Sequence, residues 1–137
     1  MSDTPATPSS APAGDDKTIA MLAYLTPLLC GVGIIIAILM HNKNKTQLGA
    51  YHLRQSLGLL IVGIAVAIVF TIIGTIARFI PGIGGLLGMG VSLVNLVVGL
   101  GLFALWVIGL LSALKCEQKP VPVLGAPIQQ KLGTLFT

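Results

Sequence analysis

The stretch His41-Asn42-Lys43-Asn44-Lys45-Thr46-Gln47-Leu48-Gly49-Ala50-Tyr51-His52-Leu53-Arg54-Gln55-Ser56 decides how this chain is read. It gathers both histidines and three of the eight cations, Lys43, Lys45 and Arg54. On either side, Thr18–Met40 and Leu57–Ala77 contain no Asp, Glu, Lys or Arg. An apolar run of about 20 residues is what a helix needs to cross the hydrocarbon core of a bilayer. A polar hinge between two such runs marks the place where a membrane chain meets water.

Composition agrees. Hydrophobic residues make up 55% of the 137 and charged residues 9%, with a mean hydropathy of +0.97. Soluble domains carry about 25% charged residues, enough to cover their surface. The net charge of +4 does not point to nucleic acid, because the cations stand at the ends of apolar runs rather than on one face interleaved with aromatics. That placement is the one used by membrane anchors and orientation signals. The start, Met1–Asp16, is acidic and rich in Pro, Ser and Ala, unlike a secretory signal. Met1–Gly14 therefore reads as a flexible tail.

The expected fold is an all-α membrane protein with three transmembrane helices, at about 18–40, 57–80 and 91–114, and an amphipathic C-terminal segment. Asp15 or Asp16 is a suitable cap for the first span, and Pro27 is expected to kink it. The second span is expected to rise from the interface before its apolar run begins, with Thr46 as cap and Tyr51 at headgroup depth. Pro81–Gly90 is half glycine, and reads either as a turn leading into the third span or as an interfacial wedge. Gly84 and Gly88 form a GxxxG pair that permits close helix approach, and Asn95 is the strongest polar group in the third span. All three are helix-packing candidates. Pro81–Leu114 is too short for two spans, so three are preferred to four.

The membrane domain is thus placed at 15–115. Residues 116–137 form a tail in which Lys119-Pro120-Val121-Pro122 cannot continue a helix. Beyond it, Pro127 opens a short segment with Ile128, Leu132, Leu135 and Phe136 on one face and Gln129, Gln130 and Lys131 on the other, as an interfacial helix would have. With three spans, Lys43, Lys45, Arg54, Lys115, Lys119 and Lys131 share one side, against Lys17 and Arg78 on the other. The positive-inside rule then puts the hinge and C-terminus in the cytoplasm and the N-terminus outside, in a multi-pass protein of the cytoplasmic (inner) membrane.

No chemistry is legible. No Asp, Glu, Lys, Arg or His lies in Thr18–Met40 or between Phe79 and Leu114, which argues against a proton-driven transporter. His41 and His52 have no HExxH-type neighbours and no acidic residue beside them, so no catalytic or metal centre is expected, and no cofactor. Cys30 and Cys116 fall at different depths, which disfavours a disulfide. The glycines of Pro81–Gly90 lack the Lys and Ser/Thr of a phosphate loop. His52-Leu53-Arg54-Gln55 is suited to an anionic headgroup or a partner's carboxylate, or else is a solvated turn of an interfacial helix.

Tyr51, His52, Gln55 and Ser56 make up an aromatic residue followed by His-x-x-Gln and a small residue, opening an apolar span. After the third span, Gly109-Leu110-Leu111-Ser112-Ala113 is followed by Lys119-Pro120-Val121-Pro122-Val123-Leu124-Gly125. Through these two motifs the chain, over roughly Thr18 to Leu135, resembles the Tic-twenty-like membrane proteins. That family includes a chloroplast inner-envelope import component and many short bacterial relatives without an assigned substrate. The resemblance implies a non-enzymatic component of a protein-translocation or membrane-assembly complex. The alternative is a structural subunit that scaffolds a membrane complex without transport of its own. In either case the expected partners are membrane lipid and other membrane proteins, including copies of itself, with no nucleic acid or small-molecule substrate. Tyr51, His52, Arg54, Gln55, Ser56, Pro120, Pro122 and Gly125 are the interaction candidates.

Overall fold

A computed structural model describes residues 14–25 and 31–136. Its regular structure is entirely helical: α1 (Gly14–Tyr24), α2 (Val32–Lys43), α3 (Gln47–Arg78), α4 (Gly84–Leu114) and α5 (Gly125–Lys131). Pro27 and Cys30 lie outside the described residues, as does most of the N-terminal tail.

Two helices are long and apolar enough to cross a membrane. α3 has 32 residues and α4 has 31, so each is about 47 Å long against a hydrocarbon thickness of about 30 Å. Only 6% of the apolar window of α3 and 17% of that of α4 is buried within the protein, which is not how the core helix of a soluble protein behaves. Ile61, Ile64, Ile68, Ile72 and Ile76 on α3, and Leu93, Leu96, Val97 and Leu100 on α4, are exposed. In water such a surface would be an association hazard; in a bilayer it is the lipid-facing side.

Thr46 caps α3, its hydroxyl accepting from the Gly49 amide at 3.1 Å. This cap starts the helix well before the apolar run at Leu57, so the first turns of α3 carry the polar motif. Between α3 and α4 the chain turns through Phe79–Ile83, with Gly82 at φ 84°, a conformation glycine adopts without a Cβ clash. α4 thus begins at Gly84, and Pro81–Gly90 divides into a turn and the first helical turns. Gly84 lies so close to the end of α3 that a Cβ there would sit 2.6 Å from the Arg78 carbonyl oxygen.

The first expected span is not found as one helix. The apolar run Thr18–Met40 is divided between α1 and α2, of 11 and 12 residues, each about 17 Å long and unable to cross alone. Gly31, at φ 87°, precedes α2. Ile19 of α1 and His41 of α2 both lie against Gly49 near the start of α3, whereas Tyr24 reaches Gln55 and Gly109. α1 therefore runs alongside α3 in the same direction and α2 returns. The pair forms a helical hairpin beside the hinge end of α3. Asp16, expected as a cap, lies inside α1 and is buried.

Two apolar clusters hold this end together. Ile19, Ala23, Ile34, Ala37 and Leu53 join the hairpin to α3. Ala20, Tyr24, Leu59, Ala113, Val121 and Ile128 join α1, α3, the end of α4 and the tail. The apolar face of α5 is thus spent on the protein rather than left for the membrane surface. Ile128 packs where Gly58 leaves no side chain, and Leu124 and Leu132 flank the cluster. α5 ends at Lys131, so Leu135 and Phe136 do not continue its stripe as helix.

Candidate functional site: a buried polar clasp

Polar residues at Tyr51–Ser56 were expected at a water-facing interface. The helical period instead sends them to different neighbours, and most turn inward. His52 and Gln55 are both 0% exposed. Burial of such groups is costly unless they are hydrogen-bonded, and each finds a partner far along the chain.

The Gln55 amide donates to the Tyr24 hydroxyl at 2.9 Å, tying α3 to α1. His52 Nε2 lies 3.0 Å from the Glu117 carbonyl oxygen, just beyond α4. A carbonyl only accepts, so Nε2 carries the proton and Nδ1 is the bare acceptor. His41 is held in the same way, with Nε2 2.8 Å from the Phe136 carbonyl oxygen. Arg54 donates through Nε to the Leu135 carbonyl at 2.8 Å, and Gln129 donates to the Tyr51 carbonyl at 3.0 Å. The Ser56 hydroxyl turns back to the Leu53 carbonyl. Trp106 completes the set from α4, its indole donating to the Tyr24 carbonyl at 2.7 Å. One short motif thereby binds the N-terminal hairpin, α4 and the C-terminal tail to the start of α3.

The rings pack edge to face: Tyr24 on His52 with centroids 5.8 Å apart, and Tyr51 on His52 at 5.4 Å. Gly109 makes room for this, since a Cβ there would lie 2.5 Å from the Tyr24 ring. Burial pushes the Tyr24 phenol well above its usual ionisation range, against the opposing effect of the Gln55 hydrogen bond. The hydroxyl is therefore neutral at any physiological pH. His41 Nδ1, His52 Nδ1, Gln55 Oε1 and the Tyr51 hydroxyl are buried with no hydrogen-bond partner among the described residues.

Of His52-Leu53-Arg54-Gln55, only Arg54 faces a solvent cleft, of about 470 Å³, together with Lys45, Gln47 and Gln118. The second motif is a tight turn. Pro120 packs against Gly125, where a Cβ would come within 2.6 Å of it, and the Gly125 amide donates to the Val121 carbonyl at 2.9 Å. Pro122 accepts from Leu124 through its carbonyl at 2.7 Å. Val123, between them, sits at φ 66° and is 87% exposed. Gly84 and Gly88 lie apart from the clasp, at the far end of the α3–α4 pair, and Asn95 lies between the ends.

Sequence reasoning missed Tyr24, His41, Trp106, Glu117 and Gln129 as members of the clasp. Tyr24 and Trp106 carried a signal, each as a ring with a polar atom in an otherwise apolar run. Glu117 takes part through its backbone, which no residue type announces. Among the described residues, no group of three or more His, Cys, Asp or Glu is placed to hold a metal ion.

A model of the magnetosome magnetite crystal formation protein family, MamF/MmsF, matches residues 15–126. No curated protein and no solved structure matches the chain. The match spans both motifs that suggested the Tic-twenty-like proteins and replaces that resemblance, and with it the expected role in protein translocation. The shared motif residues make hydrogen bonds and tight packing, so they bear on how the chain folds more than on what it does. With its two long apolar helices, the chain is a membrane protein, and it belongs to the MamF/MmsF family of magnetosome magnetite crystal formation proteins.

Proposed function

We propose that this chain acts in magnetite crystal formation as an integral protein of the membrane around the crystal. The family match over residues 15–126 carries the reading. In it, α3 and α4 cross the bilayer as a hairpin, while the α1–α2 pair, the clasp and the tail form a folded head at one face. The two-span arrangement brings the N-terminus to the side of the hinge. Lys17 then joins Lys43, Lys45, Arg54, Lys115, Lys119 and Lys131 at the head, leaving Arg78 as the only cation at the opposite end. By the positive-inside rule the head is cytoplasmic, and the turn Phe79–Ile83 faces the compartment in which mineral grows. We read the role as non-catalytic: His41, His52, Arg54, Gln55 and Gln129 each make a hydrogen bond within the head and serve to shape it.

Deletion of the gene in a magnetite-forming host tests this, with crystals counted and measured by electron microscopy. Crystals altered in number, size or shape, and restored by the wild-type gene, are expected. Unchanged crystals in a strain shown to lack the protein would overturn the proposal.

A further inference from the structure

At the end of α3 and α4 away from the head, the two helices leave a cleft of about 210 Å³ between them. Its walls are polar although it opens from the flank of two otherwise apolar helices: Thr71, Thr75 and Arg78 from α3, Ser92 and Asn95 from α4. Each hydroxyl has spent its proton. Thr71 donates to the Ala67 carbonyl at 2.7 Å, Thr75 to that of Thr71 at 2.7 Å, and Ser92 to that of Gly88 at 2.8 Å. The donors left to the cleft are the Arg78 guanidinium and the Asn95 amide. The stem of Arg78 lies across α4 at Gly88, where a Cβ would come within 3.0 Å of its Cγ. Glycine at this position therefore seats the arginine against α4, over the cleft.

The cleft does not end there. Asn95 also lines a second cavity of about 350 Å³, walled by Ala67, Leu96 and Gly99. That one shares Gly63, Ala67 and Leu102 with an apolar cavity of about 390 Å³ that reaches Trp106. From Arg78 to Gly63 along α3 is about 22 Å, comparable with an extended acyl chain. The seam therefore offers a cation at the membrane boundary, an amide donor below it, and two neighbouring apolar cavities with common walls below that.

We propose that this seam binds one anionic phospholipid, its phosphate on Arg78, a glycerol ester on Asn95 and an acyl chain along Gly63, Ala67 and Leu102. Charge complementarity chooses lipid over a second copy of the chain. No acidic residue occurs between Asp16 and Glu117, and both of these lie at the head end, so a parallel copy has no carboxylate to bring to Arg78. A planar guanidinium also matches two phosphate oxygens at once. The inference rests on the reading that α3 and α4 span the bilayer.

The test is native mass spectrometry of the full chain, delipidated in detergent and titrated with phosphatidylglycerol, phosphatidylcholine or inorganic phosphate. One phosphatidylglycerol per chain is expected, held about tenfold more tightly than phosphatidylcholine, whose choline ammonium offsets the phosphate charge and is repelled by Arg78. Arg78→Gln should abolish the preference, Arg78→Lys should keep part of it, and Asn95→Leu should weaken both lipids alike. Trp106 fluorescence verifies that each variant keeps its head folded. A preference that survives Arg78→Gln would overturn the proposal. So would displacement of the lipid by equimolar inorganic phosphate, which would make the site one for a free anion, or a lipid-free dimer that excludes phosphatidylglycerol. Failure of the wild type to insert into vesicles would instead remove the spanning reading beneath it.

Discussion

The Tyr24–Gln55 bond is the most exposed point of the clasp argument, because removal of either partner should have unequal effects. Tyr24→Phe keeps the ring against His52 and the Trp106 bond to the Tyr24 carbonyl, and deletes only the hydroxyl that accepts from Gln55. Gln55 is fully buried and its Oε1 already lacks a partner, so the variant strands the whole amide. A stranded buried polar group costs about 1–3 kcal/mol. Gln55→Leu strands the Tyr24 hydroxyl but also removes the orphaned Oε1, so the two effects offset and the net loss should be about 1 kcal/mol or less. The double variant replaces the pair by apolar groups of similar shape and should cost less than Tyr24→Phe alone, a coupling of about 1–3 kcal/mol. Thermal unfolding in detergent micelles can be followed through Trp106, the one tryptophan, which bonds to the same residue. Equal losses for the two single variants, or a double variant that equals their sum within about 0.5 kcal/mol, would refute the reasoning.

Three other substitutions probe the packing around the clasp. Gly109→Val places a side chain where the Tyr24 ring lies and should cost about 1–3 kcal/mol by overpacking, with Trp106 emission shifting as α1 lifts from α4; an unshifted spectrum would count against the α1–α4 contact. Gly58→Leu should push Ile128 out and release α5 from α3, so that protease cleaves the 115–137 tail sooner while α3 and α4 stay protected. Val123→Gly relieves a left-handed β-branched residue and should raise stability by up to about 1 kcal/mol, read as a higher Tm; a fall would mean that the exposed valine side chain has an undiscovered partner.

How much of this was visible in the residues differs from part to part. α3 and α4 follow from uninterrupted apolar runs, and Thr46 announces the start of α3 through its side-chain oxygen. The first run was misread because hydropathy alone does not separate one spanning helix from two half-length helices folded on each other. Both are apolar throughout, and what distinguishes them is burial of Ile19, Ala23 and Ala37 against protein. Alanine at positions 23 and 37 was the available hint. The tail was legible as an amphipathic helix, but not the surface it covers: a stripe of Ile128 and Leu132 suits lipid and protein equally. His52 and Gln55 looked solvated because the groups that bury them, the Glu117 carbonyl and the Tyr24 hydroxyl, are 65 and 31 positions away. The motif that pointed to the wrong family consists of these same residues, whose side chains pack and hydrogen-bond inside the head.

The central claim is a two-span protein of the crystal-bearing membrane, with its folded head and both termini on the outer, cytoplasmic face. Labelling of intact, purified crystal-bearing vesicles with a membrane-impermeant maleimide tests it most directly, in chains with Cys30→Ser and one cysteine at a time. Cys116 and a cysteine introduced by Ser10→Cys should both react in intact vesicles, whereas one introduced by Gly82→Cys should react only after the membrane is opened. Protection of the Ser10→Cys variant while Cys116 reacts would restore three spans and contradict the account.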